Sequence, residues 1–79
     1  MTAADARFLW ACIPADCKTA LAQIKRDGQM DEARPVILRE AEAGLKLLKQ
    51  RTPIDVAVAL ELAAEHWIQD HETAARRAA

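Results

Sequence analysis

Two cysteines and two histidines, Cys12, Cys17, His66 and His71, are residue types that bind zinc. Structural zinc sites favour about two to four residues between paired cysteines, and here the four intervening residues include a proline. Residues five positions apart on a helix point in directions about 140° apart, so His66 and His71 diverge. The spacing does not predict a metal site, and we expect Cys17 to pack as a small apolar side chain.

Two acidic pairs, Glu61 with Glu65 and Glu40 with Glu42, are the remaining candidates for catalytic groups. Glu61 and Glu65 share one helix face, a spacing that carboxylate metal sites and acid–base sites use. However, the sequence has no Glu-x-x-His motif, no serine nucleophile and no glycine-rich phosphate loop. We therefore predict that the protein is not an enzyme and that it binds no cofactor and no metal.

The elements that carry these residues are helices, because the chain has only two glycines, three prolines and many helix-favouring residues. Thr2 is predicted to cap a first helix, with Asp5 at the capping-box position, that ends near Cys12. A second helix is predicted over 14–26, with Gly28 as its left-handed C-terminal residue.

One kinked helix over 3–26 remains an alternative to two separate helices. A single apolar stripe continues through Pro14, and it consists of Leu9, Trp10, Ile13, Cys17, Leu21 and Ile24. A proline kink within one long helix would preserve that stripe.

The third and fourth predicted helices follow each other closely. Asp31 is predicted to cap the third helix, with Pro35 in or near its first turn and an end near Gln50. Only Arg51 and Thr52 would then separate it from the fourth helix, so the two should form an antiparallel hairpin.

The fourth helix has a clear start and a poorly anchored end. Thr52 is predicted as its cap, Pro53 as its first residue and Asp55 as its third. Its tail, 74–79, has no large apolar residue, so we expect fraying after Thr73. The predicted fold is all-α: a single domain over 1–79, a small bundle of three to four helices with a C-terminal antiparallel helical hairpin.

Both hairpin helices carry two apolar stripes when successive residues are placed about 100° apart. In the fourth helix the larger stripe is Val56, Leu60, Ala63, Ala64 and Trp67, and the second is Ile54, Val58 and Leu62. In the third helix the two sets are Ile37, Ala41, Gly44, Leu45 and Leu48, and Val36, Ala43 and Leu47. A helix with two apolar faces must be covered on both, and a short chain has little left to supply that cover.

We therefore expect an isologous homodimer in which the second stripes of two copies meet across a two-fold axis. Glu65 lies on the same face of the fourth helix as Ile54 and Val58, so the second apolar stripe ends there. Trp67 is expected in the core, Trp10 fits the core and an interface equally, and Phe8 faces away from the N-terminal stripe. The predicted interface residues are Val36, Leu47, Ile54, Val58, Leu62 and Trp10.

The net charge of −1 makes nucleic acid an unlikely partner, because nucleic-acid binders of this size are usually strongly basic. No apolar run reaches transmembrane length, and the N-terminal residues do not resemble a secretory signal. With only two cysteines, the composition favours a cytoplasmic protein with reduced thiols and no membrane contact.

The interpretation that fits these features is a protein–protein interaction module, a small helical adaptor or inhibitor that binds a larger bacterial protein. Small chains of this kind also occur among phage and mobile-element products, an argument by association. The alternative is a small DNA-binding transcriptional regulator that uses Lys46, Lys49 and Arg51, with a helix-turn-helix turn at 27–29. The acidic residues Asp31 and Glu32 on the helix after that turn would repel phosphates.

Overall fold

Four helices make up the chain in a computed structural model that describes residues 2–11 and 17–78. They are α1 (Ala3–Ala11), α2 (Lys18–Arg26), α3 (Met30–Leu45) and α4 (Pro53–Ala78), and the described residues contain no strand. α3 and α4 pack against each other as an antiparallel hairpin, with α2 against both. The predicted all-α bundle is confirmed. Cys12, Pro14 and the choice between two helices and one kinked helix fall outside the described residues.

Two capping boxes fix the starts of α1 and α4 as predicted. The N–H of Asp5 donates to the hydroxyl of Thr2 and the N–H of Thr2 donates to the Asp5 carboxylate, both at 3.2 Å. Thr52 and Asp55 make the same reciprocal bonds at 3.1 and 3.0 Å. The backbone N–H of Thr2, followed by its hydroxyl, holds the pKa of Asp5 below its usual value of 3.8.

The end of α2 also follows the sequence prediction. Gly28 has a φ of 70°, a left-handed conformation that only glycine adopts without strain. Its N–H donates to the carbonyl of Lys25, and the N–H of Gln29 donates to the carbonyl of Ile24, both at 3.1 Å. This pair of bonds is a Schellman motif, which satisfies carbonyls that the helix end would leave open.

α3 differs from its prediction at both ends. It begins at Met30 after Gln29, so Asp31 lies in the first turn and is not the cap, and Pro35 is the sixth residue of the helix. It ends at Leu45, five residues before the predicted end at Gln50.

The early end of α3 follows from the weak helix propensity of Gly44 and from tighter turns after it. The N–H of Leu47 bonds the carbonyl of Gly44 at 3.2 Å, and the N–H of Leu48 bonds that of Leu45 at 3.1 Å. Both bonds span three residues and close the helix with tight turns. The connection to α4 is therefore the segment 46–52, not two residues.

α4 is the longest helix, with 26 residues against 16 in α3. At about 1.5 Å per residue it is about 15 Å longer than α3. It reaches Ala78, further than the end near Thr73 that the sequence suggests. Residues 74–77 are all exposed, so their fraying in solution remains a prediction.

The core lies where α2, α3 and α4 meet. The larger stripe of α4 is confirmed as the core face, because Leu60, Ala64 and Trp67 are buried. Ile24 from α2 and Ile37 from α3 are fully buried against it. This packing uses one side of α4, so the opposite side is left to solvent or to another chain.

Candidate functional site

Large apolar side chains are exposed together on one side of the α3–α4 hairpin. Leu47 is 87% exposed, Ile54 74% and Leu62 60%, and Val58 and Leu48 are about half exposed. We call these five residues the hairpin patch. Ile54, Val58 and Leu62 recur every four residues along α4 and so form one ridge, while Leu47 and Leu48 follow the end of α3. Clustered exposed apolar side chains of this kind mark interaction surfaces.

A groove of about 610 Å³ runs between α3 and α4 beside that ridge. Small residues, Ala43 and Gly44 from α3 and Ala59 from α4, line its floor. A methyl group added at Gly44 would meet nothing within 4 Å, so the glycine leaves open space there. Larger side chains at these positions would fill the groove, and their absence gives the hairpin a concave apolar surface.

A polar cluster closes one end of this groove. The Nδ1 atom of His66 lies 3.1 Å from the Glu40 carboxylate across the hairpin, and its Nε2 atom lies 3.5 Å from that of Asp70. The cluster joins α3 to α4 at the surface, where His66 remains 60% exposed. Polar contacts this exposed orient side chains and contribute little stability.

The candidate metal and catalytic residues do not converge in the described part of the chain. His71 stacks on Trp67, with ring centroids 3.5 Å apart, and its Nδ1 atom lies 3.0 Å from the Trp67 carbonyl oxygen. Cys17 is buried, as predicted, and its Sγ donates to the carbonyl of Ala57 at 3.1 Å. No group of three potential metal ligands occurs among the described residues. Glu65 is exposed on α4, and Glu42 pairs with Arg51.

Four of the six predicted interface residues, Leu47, Ile54, Val58 and Leu62, lie together in the hairpin patch. The other two, Val36 and Trp10, lie outside it, and their place in an interface stays a prediction. Val36 and Trp10 are half-buried against the core of their own chain. The guanidinium carbon of Arg34 lies 5.3 Å from the Trp10 ring centroid, so an intramolecular cation–π contact also holds this tryptophan.

Sequence reasoning missed Leu48 and Gly44, which it assigned to the core stripe of the third helix. The assignment assumed that the helix continued to Gln50. Because α3 ends at Leu45, the tight turns redirect Leu48 into the groove, and Gly44 lies on its floor. The glycine was the available signal, since glycine near a helix end weakens the helix.

None of the helices in the described residues is long and apolar enough to cross a lipid bilayer. Comparison with protein-family models, with curated proteins and with solved structures gives no match to this chain.

Proposed function

We propose that this chain is a non-catalytic protein–protein interaction module that self-associates through the hairpin patch and acts as an adaptor or inhibitor towards a larger protein. The observation that carries the proposal is the exposure of Leu47, Ile54 and Leu62 beside an apolar groove. Full burial of one such side chain against a partner is worth about 1.5–3 kcal/mol of free energy. A second helical surface against this side would recover that free energy.

The charges around the hairpin patch favour a second copy as the partner. Lys49 is exposed at the loop end of the patch, and Glu65 is exposed further along α4. A two-fold axis perpendicular to α4 at the patch places the α4 helices of two copies antiparallel. Lys49 of each copy then lies near Glu65 of the other, so the charges are complementary at both ends.

The alternative DNA-binding role has weaker support. Lys46, Lys49 and Arg51 lie in the 46–52 connection and not on a helix that could enter a groove of DNA. The Arg51 guanidinium is also 3.5 Å from the Glu42 carboxylate, which reduces the positive charge available to phosphates. A salt-dependent shift of labelled duplex DNA would favour this role over the interaction module.

Sedimentation equilibrium at micromolar concentration tests the self-association, and a stable monomer would contradict it. The larger partner is tested by pull-down and mass spectrometry with the wild type, a Leu62→Glu variant and a Phe8→Glu variant. Phe8 is a matched control because it is 68% exposed outside the patch. Proteins retained by the wild type and the Phe8 variant but lost with Leu62→Glu bind through the patch. Proteins that all three retain equally bind outside the patch, which would refute its role in binding the larger partner and leave its role in self-association to sedimentation.

A further inference from the structure

A second groove lies on the other side of α3, between that helix and α1. It has a volume of about 560 Å³ and extends along α3 from Arg34 to Lys46. At about 1.5 Å per residue this stretch is about 18 Å long, or about three helical turns. Leu38 and Ala6 lie in the groove and also in a neighbouring cavity of about 330 Å³ that contains Trp10.

The walls of this groove carry an excess of positive charge. Its cationic residues, Arg34, Arg39 and Lys46, are exposed, and the exposed Arg7 of α1 lines the neighbouring cavity. Among the residues that the structure describes, Glu42 is the one acidic residue that lines either cavity, and it pairs with Arg51 from the loop. The floor is apolar and consists of the buried Leu38 and the half-buried Ala6; the exposed Pro35 and Ala43 lie beside them, and Ala43 also lines the hairpin groove.

We propose that this α1–α3 groove is a docking site for an acidic amphipathic segment of a partner protein. Apolar side chains of the segment lie on the floor, and its carboxylates meet the arginines on the walls. The proposal rests on the proposed function, because it gives the chemistry of the segment that such a module would bind through a surface separate from the hairpin patch.

Arg34 is prepared for this role by its contact with Trp10. The guanidinium carbon lies over the ring, 5.3 Å from the centroid, and the Arg34 side chain is exposed, so its N–H groups remain available to a carboxylate. A pre-positioned arginine loses less side-chain freedom when it binds. A nucleic-acid backbone fits less well, because phosphates would leave the apolar floor unused.

The test uses a synthetic, fluorescein-labelled helical peptide, about four turns long, with leucines on one face and glutamates on the other. We expect saturable binding at about 0.1 M salt, with amide shifts in NMR spectra at Ala6 and Leu38 and a shift of the Trp10 indole. A matched peptide with lysine in place of glutamate should not bind. Shifts at Leu47 and Val58 instead, or no saturable binding, would overturn the proposal, as would binding of duplex DNA without binding of the acidic peptide.

Variants on the groove wall and elsewhere sharpen the test. Arg39→Glu should weaken binding of the acidic peptide about tenfold or more, whereas Arg39→Lys should retain most of it. Lys25→Glu is the matched control, because Lys25 is an exposed cation at the end of α2 and does not line the groove. If Arg39→Glu and Lys25→Glu lower the affinity for the acidic peptide equally, the binding depends only on net charge, and the assignment to the groove is overturned.

The result is separable from that of the proposed function. A protein that sediments as a monomer but binds the peptide in the groove refutes the dimer and supports the groove. A dimer that fails to bind the peptide supports the dimer and refutes the groove.

Discussion

Ile54→Glu is the substitution that separates self-association from folding most cleanly. Ile54 is 74% exposed and is the second residue of α4, so it contributes little to the core. Glutamate in the first turn of a helix interacts favourably with the helix dipole. The free energy of unfolding of the isolated chain should therefore change by less than about 0.5 kcal/mol.

The effect on the dimer should be much larger. Full burial of an isoleucine side chain is worth about 1.5–3 kcal/mol, and the exposed three quarters of Ile54 leaves about 1–2 kcal/mol for the interface. An isologous interface contains the residue twice, so the loss is about 2–4 kcal/mol. This corresponds to a dissociation constant about 30-fold to 1,000-fold higher. Ile54→Leu should retain the dimer, because it keeps the apolar side chain.

Sedimentation equilibrium over a range of concentrations gives the dissociation constants, and urea unfolding at low concentration gives the stability of the chain itself. The reasoning fails if Ile54→Glu leaves the dissociation constant within about threefold of the wild type, less than 1 kcal/mol. It also fails if Ile54→Leu dissociates as readily as Ile54→Glu, since the side chain would then act through something other than its apolar surface.

Three further substitutions or conditions test the fold. Leu60→Ala should lower the free energy of unfolding by about 2–5 kcal/mol, because Leu60 is fully buried; a loss below 1 kcal/mol in urea unfolding would contradict its place in the core. Thr52→Ala should cost about 1 kcal/mol by loss of the cap, measured by the same unfolding, and Thr52→Ser should restore most of it. The pKa of Asp5 in the folded chain lies below 3.8, so its stabilisation of α1 is present above about pH 3.8 and is lost as the pH falls through the lower, folded-state value. An NMR titration in which Asp5 titrates at or above its usual value would refute that capping box.

The starts of α1 and α4 and the end of α2 could be predicted because each depends on a few neighbouring residues. Each of these helix ends is determined by residues within about one turn of it: Thr2 with Asp5, Thr52 with Asp55, and Gly28. The core face of α4 could also be predicted, because its apolar spacing follows the helical period and the face packs against neighbouring helices.

The end of α3 could not be predicted from the apolar pattern. Leu47 and Leu48 continue the helical spacing past Gly44, so the pattern alone extends the helix through them, whereas the structure turns the chain at Leu45. The half-burial of Val36 and Trp10 could not be predicted either, because the packing of α1 and the contact of Trp10 with Arg34 depend on tertiary structure.

The α1–α3 groove was missed for the same reason. Arg7 is distant in sequence from Arg34 and Arg39, and only the folded chain brings their charges to one surface. The basic clusters visible in the sequence, such as Lys25 with Arg26, lie near helix ends, where cations complement the helix dipole.

The greater length of α4, which reaches Ala78, has a practical consequence for immobilising or labelling the protein. Its C-terminal segment 69–77 is exposed, and it lines neither groove. Thr2, at the other end, belongs to the wall of the α1–α3 groove. A fluorophore or resin linker attached beyond α4 therefore stands away from both surfaces, whereas the same group fused before Thr2 would obstruct one of them and mimic a binding defect.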